Sequence, residues 1–215
     1  MIFKDRIDAA KKLATKLEGI KKENPVILAI PRGGVVTGDV IAQILGAPLD
    51  VVISRKIGSP SNPELAIGAV LHDGSFFPNS DLIYALGIQR EYLDEQIADQ
   101  LKEIQRRLKK FRGNTHYNLK DKTVVLVDDG IATGATVFVA LKWVQQQKPK
   151  RVIVAIPVGP KSTIEKLAQV AEVIVLHDPV SFGAVGEFYD SFDQVEDYEV
   201  VEIMRRHGYK LDGID

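Results

Sequence analysis

The 215-residue chain has no cysteine, which excludes a disulfide framework and a thiolate-held metal. Its four histidines, His72, His116, His177 and His207, form no metal-ligand spacing. No apolar run approaches the length that spans a membrane. There is no Gly-x-Ser-x-Gly elbow for a serine hydrolase and no Gly-Lys-Ser/Thr for a nucleoside-triphosphatase loop. Excess positive charge is also missing. The net charge of −1 argues against wholesale electrostatic binding to nucleic acid. Residues 187–202 carry seven acids and no Lys or Arg, so that tail points the same way. The first residues hold Asp5, Asp8 and Glu18 among lysines and lack an apolar core, so they are not read as a targeting segment. No repeat or low-complexity stretch is visible. What remains is ordinary for a soluble globular protein: 45% apolar and 27% charged residues. The expectation is a cytoplasmic enzyme of one domain with an elaborated edge, with no membrane or nucleic-acid partner.

Hydrophobic patterning sets the layout. Residues 3–20 read as an amphipathic helix, with Phe3, Ile7, Ala10, Ala14 and Leu17 on one face. Residues 26–30 form a short buried strand, broken by Pro31-Arg32-Gly33-Gly34. A helix over 35–45 and a second buried strand over 49–54 follow. Strand, turn, helix and strand with short connections make a βαβ unit and predict a parallel sheet. The rhythm returns with strands at 123–127, 152–157 and 173–176 and helices at 134–147 and 161–169. Residues 55–118 interrupt it. Ser59-Pro60-Ser61-Asn62-Pro63 is turn-rich and expected to be mobile, and residues 66–71 and 76–78 look like a hairpin. A helix over 89–111 carries Leu93, Ile97, Leu101, Ile104, Leu108 and Phe111 on one stripe. That stripe suits either a helix covering one side of the sheet or a subunit interface, which leaves a homodimer open. Lys109, Lys110 and Arg112 suit the helix C-terminus and read as solvated.

The chemistry-bearing stretch is 124–136. Val124 to Val127 read as a buried strand, Asp128 and Asp129 follow at its C-terminal end, and a loop of small residues and hydroxyls leads into a helix. In open α/β sheets ligands bind beyond the carboxyl ends of strands. Small residues let backbone N–H groups converge on one spot, and the helix adds its positive N-terminal end, which suits a phosphate. Two carboxylates suit vicinal sugar hydroxyls, or a magnesium ion held through water. Asp-Asp-Gly alone would be a common turn and Thr133 a helix N-cap. Thirteen positions in this order favour a site for a phosphorylated ribose.

This stretch resembles the phosphoribosyl-pyrophosphate (PRPP) signature of the type I phosphoribosyltransferases: four apolar residues, two acids, two mostly apolar residues, and a Thr-Gly loop ending in Thr. The resemblance extends to the chain's layout and is nearest to an uncharacterised bacterial and archaeal branch of predicted phosphoribosyltransferases. Two positions depart from the pattern. Gly130 stands where a branched apolar residue is usual, and Ala135 where a second glycine is usual; positive φ at Ala135 would cost more than at glycine.

The resemblance implies an α/β fold, an open, twisted, mainly parallel sheet flanked by helices. Residues 1–215 would form a single domain. Its core would cover about 25–56 and 120–177, a flexible-loop insertion about 57–118, and a hood over the site about 1–22 and 178–215. It implies transfer of a 5-phosphoribosyl group from PRPP, with Mg2+, to a nitrogen of a nucleobase or related acceptor. The alternative is a regulatory protein that senses PRPP or a nucleotide without turnover. Asp128 and Asp129 would hold the ribose hydroxyls, touching metal only through water. Gly130, Ile131, Ala132, Thr133, Gly134, Ala135 and Thr136 would anchor the 5-phosphate. Arg32, Gly33 and Gly34 would form the pyrophosphate loop, with a cis bond at Pro31–Arg32. Arg55 and Lys56 would bring cations to the leaving group from a closing loop. Val158, Leu176, His177, Phe182 and Tyr189 would shape the acceptor pocket, with aromatics stacking on a planar base. An acid stands at the Ala132 position in hypoxanthine-guanine members, so Ala132 points toward adenine.

Overall fold

A computed structural model describes residues 1–63 and 65–211. The main sheet holds five parallel strands, β1 (Val26–Ala29), β2 (Leu49–Val51), β6 (Thr123–Val127), β7 (Arg151–Val158) and β8 (Glu172–His177), in the order β2-β1-β6-β7-β8. All residues of β1 and β6 are buried, because helices cover both faces. Ile27, Ala29, Val125 and Val127 pack with α1 (Arg6–Leu17) and α2 (Gly33–Leu45). Leu28, Val124 and Leu126 pack instead with α5 (Ala135–Gln146) and α6 (Lys161–Ala168). Period-two alternation within continuous apolar runs thus feeds two cores at once.

The chain leaves β1 toward β2 and leaves β6 toward β7, so the sheet reverses direction between β1 and β6. That reversal opens a crevice at the carboxyl ends of these strands. Register aligns the crevice walls: Ala29 sits opposite Val127, and the Ile30 N–H donates to the Val127 carbonyl at 2.9 Å. Residues 31–34 and 128–130 therefore leave the sheet side by side.

A second sheet is antiparallel, β3 (Ser54–Gly58), β4 (Ala66–Leu71) and β5 (Phe76–Pro78), followed by α3 (Ser80–Ala85) and α4 (Arg90–Phe111). The hairpin at 66–78 matches expectation, but β3 does not. The apolar run at 49–54 changes sheets after Ile53, so β2 ends at Val51 and Arg55-Lys56 lie within a strand. Ser59, expected in a mobile turn, is buried, and its hydroxyl donates to the Asn62 carbonyl at 2.9 Å. The C-terminal half of the α4 stripe, Ile104, Leu108 and Phe111, is buried in the same core as α7 (Asp197–Arg206), while Leu93, Ile97 and Leu101 are only partly buried against it.

The basic end of α4 corrects the solvated reading of Lys110 and Arg112. Arg112 is buried and forks onto Asp50 of β2, Nε to Oδ1 at 2.7 Å and Nη2 to Oδ2 at 2.9 Å, with its guanidinium over the Tyr117 ring. Lys110 pairs with Asp197 at 2.9 Å. Neither partner adjoins these cations in sequence, so the helix-end pattern carried no sign of them. Ile7, expected on the buried face of α1, is 45% exposed, while Phe3 precedes the helix and pairs with Tyr189. No helix among the described residues is long and apolar enough to cross a membrane.

Candidate active site

The two loops that leave β1 and β6 touch at the switch point. A Cβ at Gly33 would overlap the Asp129 carboxylate, and one at Gly34 would stand 2.9 Å from the Asp128 Cα. Glycine is required at both positions because the carboxylate loop occupies the space a side chain would need. The Pro31–Arg32 peptide is cis.

Asp128 and Asp129 sit half-buried at the mouth of the crevice. The Asp129 N–H donates to Asp128 Oδ1 at 2.9 Å. Burial, and then the adjacent Asp129 charge, push the Asp128 carboxyl well above the usual carboxylate range. Arg6 of α1 answers that crowding: its Nε donates to Asp129 Oδ2 at 2.6 Å.

The 130–136 loop follows. Ile131 is buried and its N–H is taken by the Val158 carbonyl at 3.0 Å, so it fastens the loop to β7. The Thr163 hydroxyl of α6 donates to the Ala132 carbonyl at 3.0 Å. Gly134 takes the positive φ, 74°, and is the N-cap of α5. Ala135 is the first helical residue, so its departure from glycine costs the backbone nothing here. Thr133 is not the cap; its Oγ1 accepts from the Ala135 N–H at 3.5 Å. The first turn of α5, with Ala135 and Thr136, leaves N–H groups without intrahelical partners facing this loop. The other departure has a cause as well. A Cβ at Gly130 would overlap Val185, and Val158 lies only 3.2 Å from the same point. Gly130 lets the segment around Val185 settle onto the strand end.

That segment belongs to an apolar cluster over the ends of β7 and β8, with Phe3, Ala9, Val158 and Tyr189 buried and Leu176, Phe182, Val185, Phe188 and Phe192 packed against them. Phe182 stacks on Phe188 with centroids 5.3 Å apart, and His177 meets the edge of Phe188 at 5.4 Å. Phe182 keeps partial exposure, whereas Val158 is fully buried and Tyr189 nearly so. The Tyr189 hydroxyl donates to the Asp129 carbonyl at 2.5 Å. Burial, and then the Asp129 charge, raise its pKa. Tyr189 therefore supports the carboxylate loop and offers no free ring face.

Arg32 lies at the other end of the crevice. Its Nη1 is 3.5 Å from both Glu196 Oε2 and Asp197 Oδ1. Burial acts to raise Asp197, but the Lys110 hydrogen bond and the charges of Lys110, Arg107 and Arg32 outweigh it and hold the carboxyl low. Arg55 is committed elsewhere: its Nε donates to Gln100 Oε1 of α4 at 2.9 Å. Burial, then the Arg107 charge, lower its pKa. Lys56 is exposed on β3. The structure thus brings together Arg32, Gly33, Gly34, Asp128 and Asp129, with the 130–136 loop beside them. Arg55 lies against α4. Arg6, Glu196 and Asp197 were missed by sequence reasoning, since nothing local distinguishes a lone arginine in a helix or an acid in an acid-rich tail.

A family model for the phosphoribosyl transferase domain matches residues 2–186. The chain belongs to the phosphoribosyl transferase family. Two curated proteins from Mycobacterium tuberculosis strains, both provisionally named phosphoribosyl transferases, are 40% identical over 207 residues. These cover 95% of this chain and 47% of each relative, so the chain spans about half the length of the curated relatives it matches. The crystal structure of TT1426 from Thermus thermophilus is 41% identical with a TM-score of 0.82, covering 96% of this chain and 99% of that one. A purine phosphoribosyltransferase from Pyrococcus horikoshii shares the fold at 21% identity and a TM-score of 0.50, over 87% and 90% of the two chains. A parallel sheet with this crevice is thus the phosphoribosyltransferase fold.

Proposed function

We propose that this family member transfers the 5-phosphoribosyl group of PRPP to a ring nitrogen of a base, releasing pyrophosphate. The observation that carries this reading is the convergence of the Arg32–Gly34 loop and the Asp128–Thr136 loop at the sheet's switch point. One loop suits a pyrophosphate, the other a ribose 5-phosphate, and they are in contact, as the two ends of one substrate require.

The reaction breaks the bond from the anomeric carbon to the pyrophosphate oxygen and forms a carbon–nitrogen bond. Positive charge develops on the ribose and negative charge on the leaving group. Asp128 and Asp129 hold the ribose hydroxyls and lie near the developing cation. Residues 132–136, with the N-terminus of α5, anchor the 5-phosphate. Arg32 meets the leaving pyrophosphate, after exchanging Glu196 and Asp197 for phosphate oxygens of the same sign. Arg55 and Lys56 would bring cations to it from β3, Arg55 after releasing Gln100. Asp128 and Asp129, adjacent carboxylates beside the glycine loop, would hold a magnesium ion through water. When bound, that ion would supply positive charge to the departing pyrophosphate. Phe182 is the ring best placed to stack on the acceptor, with Leu176, His177 and the buried Val158 behind it. Ala132 offers no acid to an oxopurine, so adenine ranks ahead of the oxopurines.

The test is turnover of PRPP and magnesium against a panel of purines, pyrimidines and small heterocyclic amines, read as nucleoside 5-monophosphate and pyrophosphate. Conversion of at least one base is expected. Tight PRPP binding with no base converted replaces this reading with a sensor. Arg32→Ala should weaken pyrophosphate and PRPP while leaving ribose 5-phosphate nearly unchanged, since Arg32 reaches only the leaving-group end.

A further inference from the structure

Arg6 lies outside both ligand loops, yet it is held more tightly than a surface arginine needs. Its backbone opens α1, whose N-cap Asp5 accepts from the Asp8 N–H at 2.8 Å. Just before it, the Phe3 N–H donates to the Phe188 carbonyl, and the Asp190 N–H donates back to the Phe3 carbonyl, both at 2.8 Å. The guanidinium is then fixed on three sides. It lies over the Phe192 ring at 3.9 Å, Nη1 donates to the Asp193 carbonyl at 2.8 Å, and Nε donates to Asp129 Oδ2 at 2.6 Å. Only 12% of the Arg6 side chain and 14% of Asp129's are exposed.

The partner decides what this means. Fastening α1 to the segment at 188–193 needs no bond to Asp129, because the backbone pairs and the ring already join them. The third contact goes to the second acid of the ribose motif, and the pyrophosphate loop makes room for it. A Cβ at Gly33 would overlap the Asp129 carboxylate and stand 2.9 Å from Arg6 Nε. Left without a cation, two neighbouring carboxylates at this depth would repel each other and turn apart. A single guanidinium, fixed on an aromatic ring, offsets one of the charges and allows Asp129 one rotamer.

We propose that Arg6 is a positioning residue of this site. It sets the orientation of Asp129 toward the ribose hydroxyls, and it makes that orientation depend on the apolar cluster where the acceptor would bind. The inference rests on the phosphoribosyl-transfer reading and adds to it a residue from outside the signature. It ties Arg6 to the ribose end of the substrate through Asp129, with its Nε also close against Gly33.

The test is calorimetric titration of the full chain, with magnesium, by PRPP, ribose 5-phosphate and pyrophosphate. Arg6→Met keeps the stem over Phe192 and removes the donors and the charge. It should raise the Kd of PRPP and ribose 5-phosphate about tenfold, the scale of one hydrogen bond to a charged group, and leave pyrophosphate within about twofold. Arg6→Lys restores a charge to Asp129 but not the second donor to the Asp193 carbonyl, and should recover part of the loss; a merely structural arginine would show no such ligand-selective rescue. Should Arg6→Met fail to fold, Phe192→Leu decides, since it leaves Arg6 in place but unseated and should weaken the same two ligands in the same order. Unchanged ribose 5-phosphate affinity in the folded variants, or equal loss for all three ligands, overturns the role of Arg6 alone. Absence of PRPP binding by the wild-type chain overturns the transfer reading and this inference with it.

Discussion

Every residue of β1 and β6 is buried, whereas β3 has Ile57 as its one buried residue among half-buried and exposed neighbours. The two sheets sit in one molecule but answer to different constraints. Helices cover the parallel sheet on both faces, so its strands must be apolar throughout and its turns must be short. In the antiparallel sheet β3 can carry Arg55 and Lys56 within the strand itself. The first kind of element announces itself in sequence; the second resembles a loop. The candidate site is divided along the same line. Its glycines and carboxylates leave the parallel sheet, while the cation that holds Asp129 and the acids that hold Arg32 come from the chain's outer segments.

The largest effect should fall on the parallel-sheet half of the site. Replacing Asp128 and Asp129 together by asparagine should lower kcat/KM for PRPP about a hundredfold or more. It should also remove most of the thermal shift that PRPP with magnesium produces. Fold stability should not drop in the Asp128→Asn single variant, which leaves the Arg6–Asp129 pair intact. The Asp128 pKa is raised by burial and by Asp129. Stability linked to such a group is complete below the unfolded carboxylate range and is lost as pH rises through the folded pKa. At neutral pH the charged form is a cost, and Asp128→Asn removes it. Melting curves with and without PRPP separate the two effects, and an undiminished ligand shift would take the carboxylates out of the ribose site.

That asymmetry shows what was legible. The order of strands and helices followed from apolar runs of four to eight residues between Gly, Pro and Asp, because burial on two faces leaves little choice of residue. The motif at 124–136 was readable because its parts are consecutive. Gly130 and Ala135 were visible only as departures; their reasons, Val185 overhead and helical φ at 135, lie in three dimensions. Tyr189 looked like a stacking ring because composition cannot show that its hydroxyl is spent on the Asp129 carbonyl. Arg112 looked solvated because Asp50 stands 62 residues away. Contacts over such separations leave no periodicity to find.

The Arg112–Asp50 pair joins the end of α4 to β2, so it tests how firmly the inserted unit is fastened to the parallel sheet. Asp50→Asn would leave a buried guanidinium with half its fork unanswered. The expected loss is about 3–5 kcal/mol, the usual cost of breaking a buried pair by removing one partner, measured by urea unfolding. A loss below about 1 kcal/mol would show that α4 is held by its apolar stripe alone.

Phe182 tests the site's outer half from the side of the acceptor. Its ring is stacked on Phe188 yet partly open. Phe182→Ala should raise the acceptor's KM about tenfold, in the range of one base-stacking contact at about 1–3 kcal/mol, and change that of PRPP much less. A matched rise in both would mean the ring supports the cluster instead of meeting the base.

The smallest effect belongs to α4, where stabilisation runs along one helix and not between distant strands. Glu103 accepts from Arg106 three residues on and from Arg107 four residues on, at 2.7 and 2.8 Å. The Arg106 hydrogen bond, against some burial and with help from Arg107, lowers its pKa to about 2. A carboxylate depressed in this way contributes stability above its unfolded pKa, near 4.5, and loses it as pH falls toward 2. The carboxylate is at the surface and solvent screens it, so helix pairs of this kind are worth only about 0.3–0.5 kcal/mol each. Glu103→Gln should therefore cost less than about 1 kcal/mol at pH 7, and the gap should narrow as urea unfolding is repeated down to pH 3. A difference that stays constant across that range would mean the side chain acts through packing and not charge. The helix would then depend on long-range contacts, as the parallel sheet does.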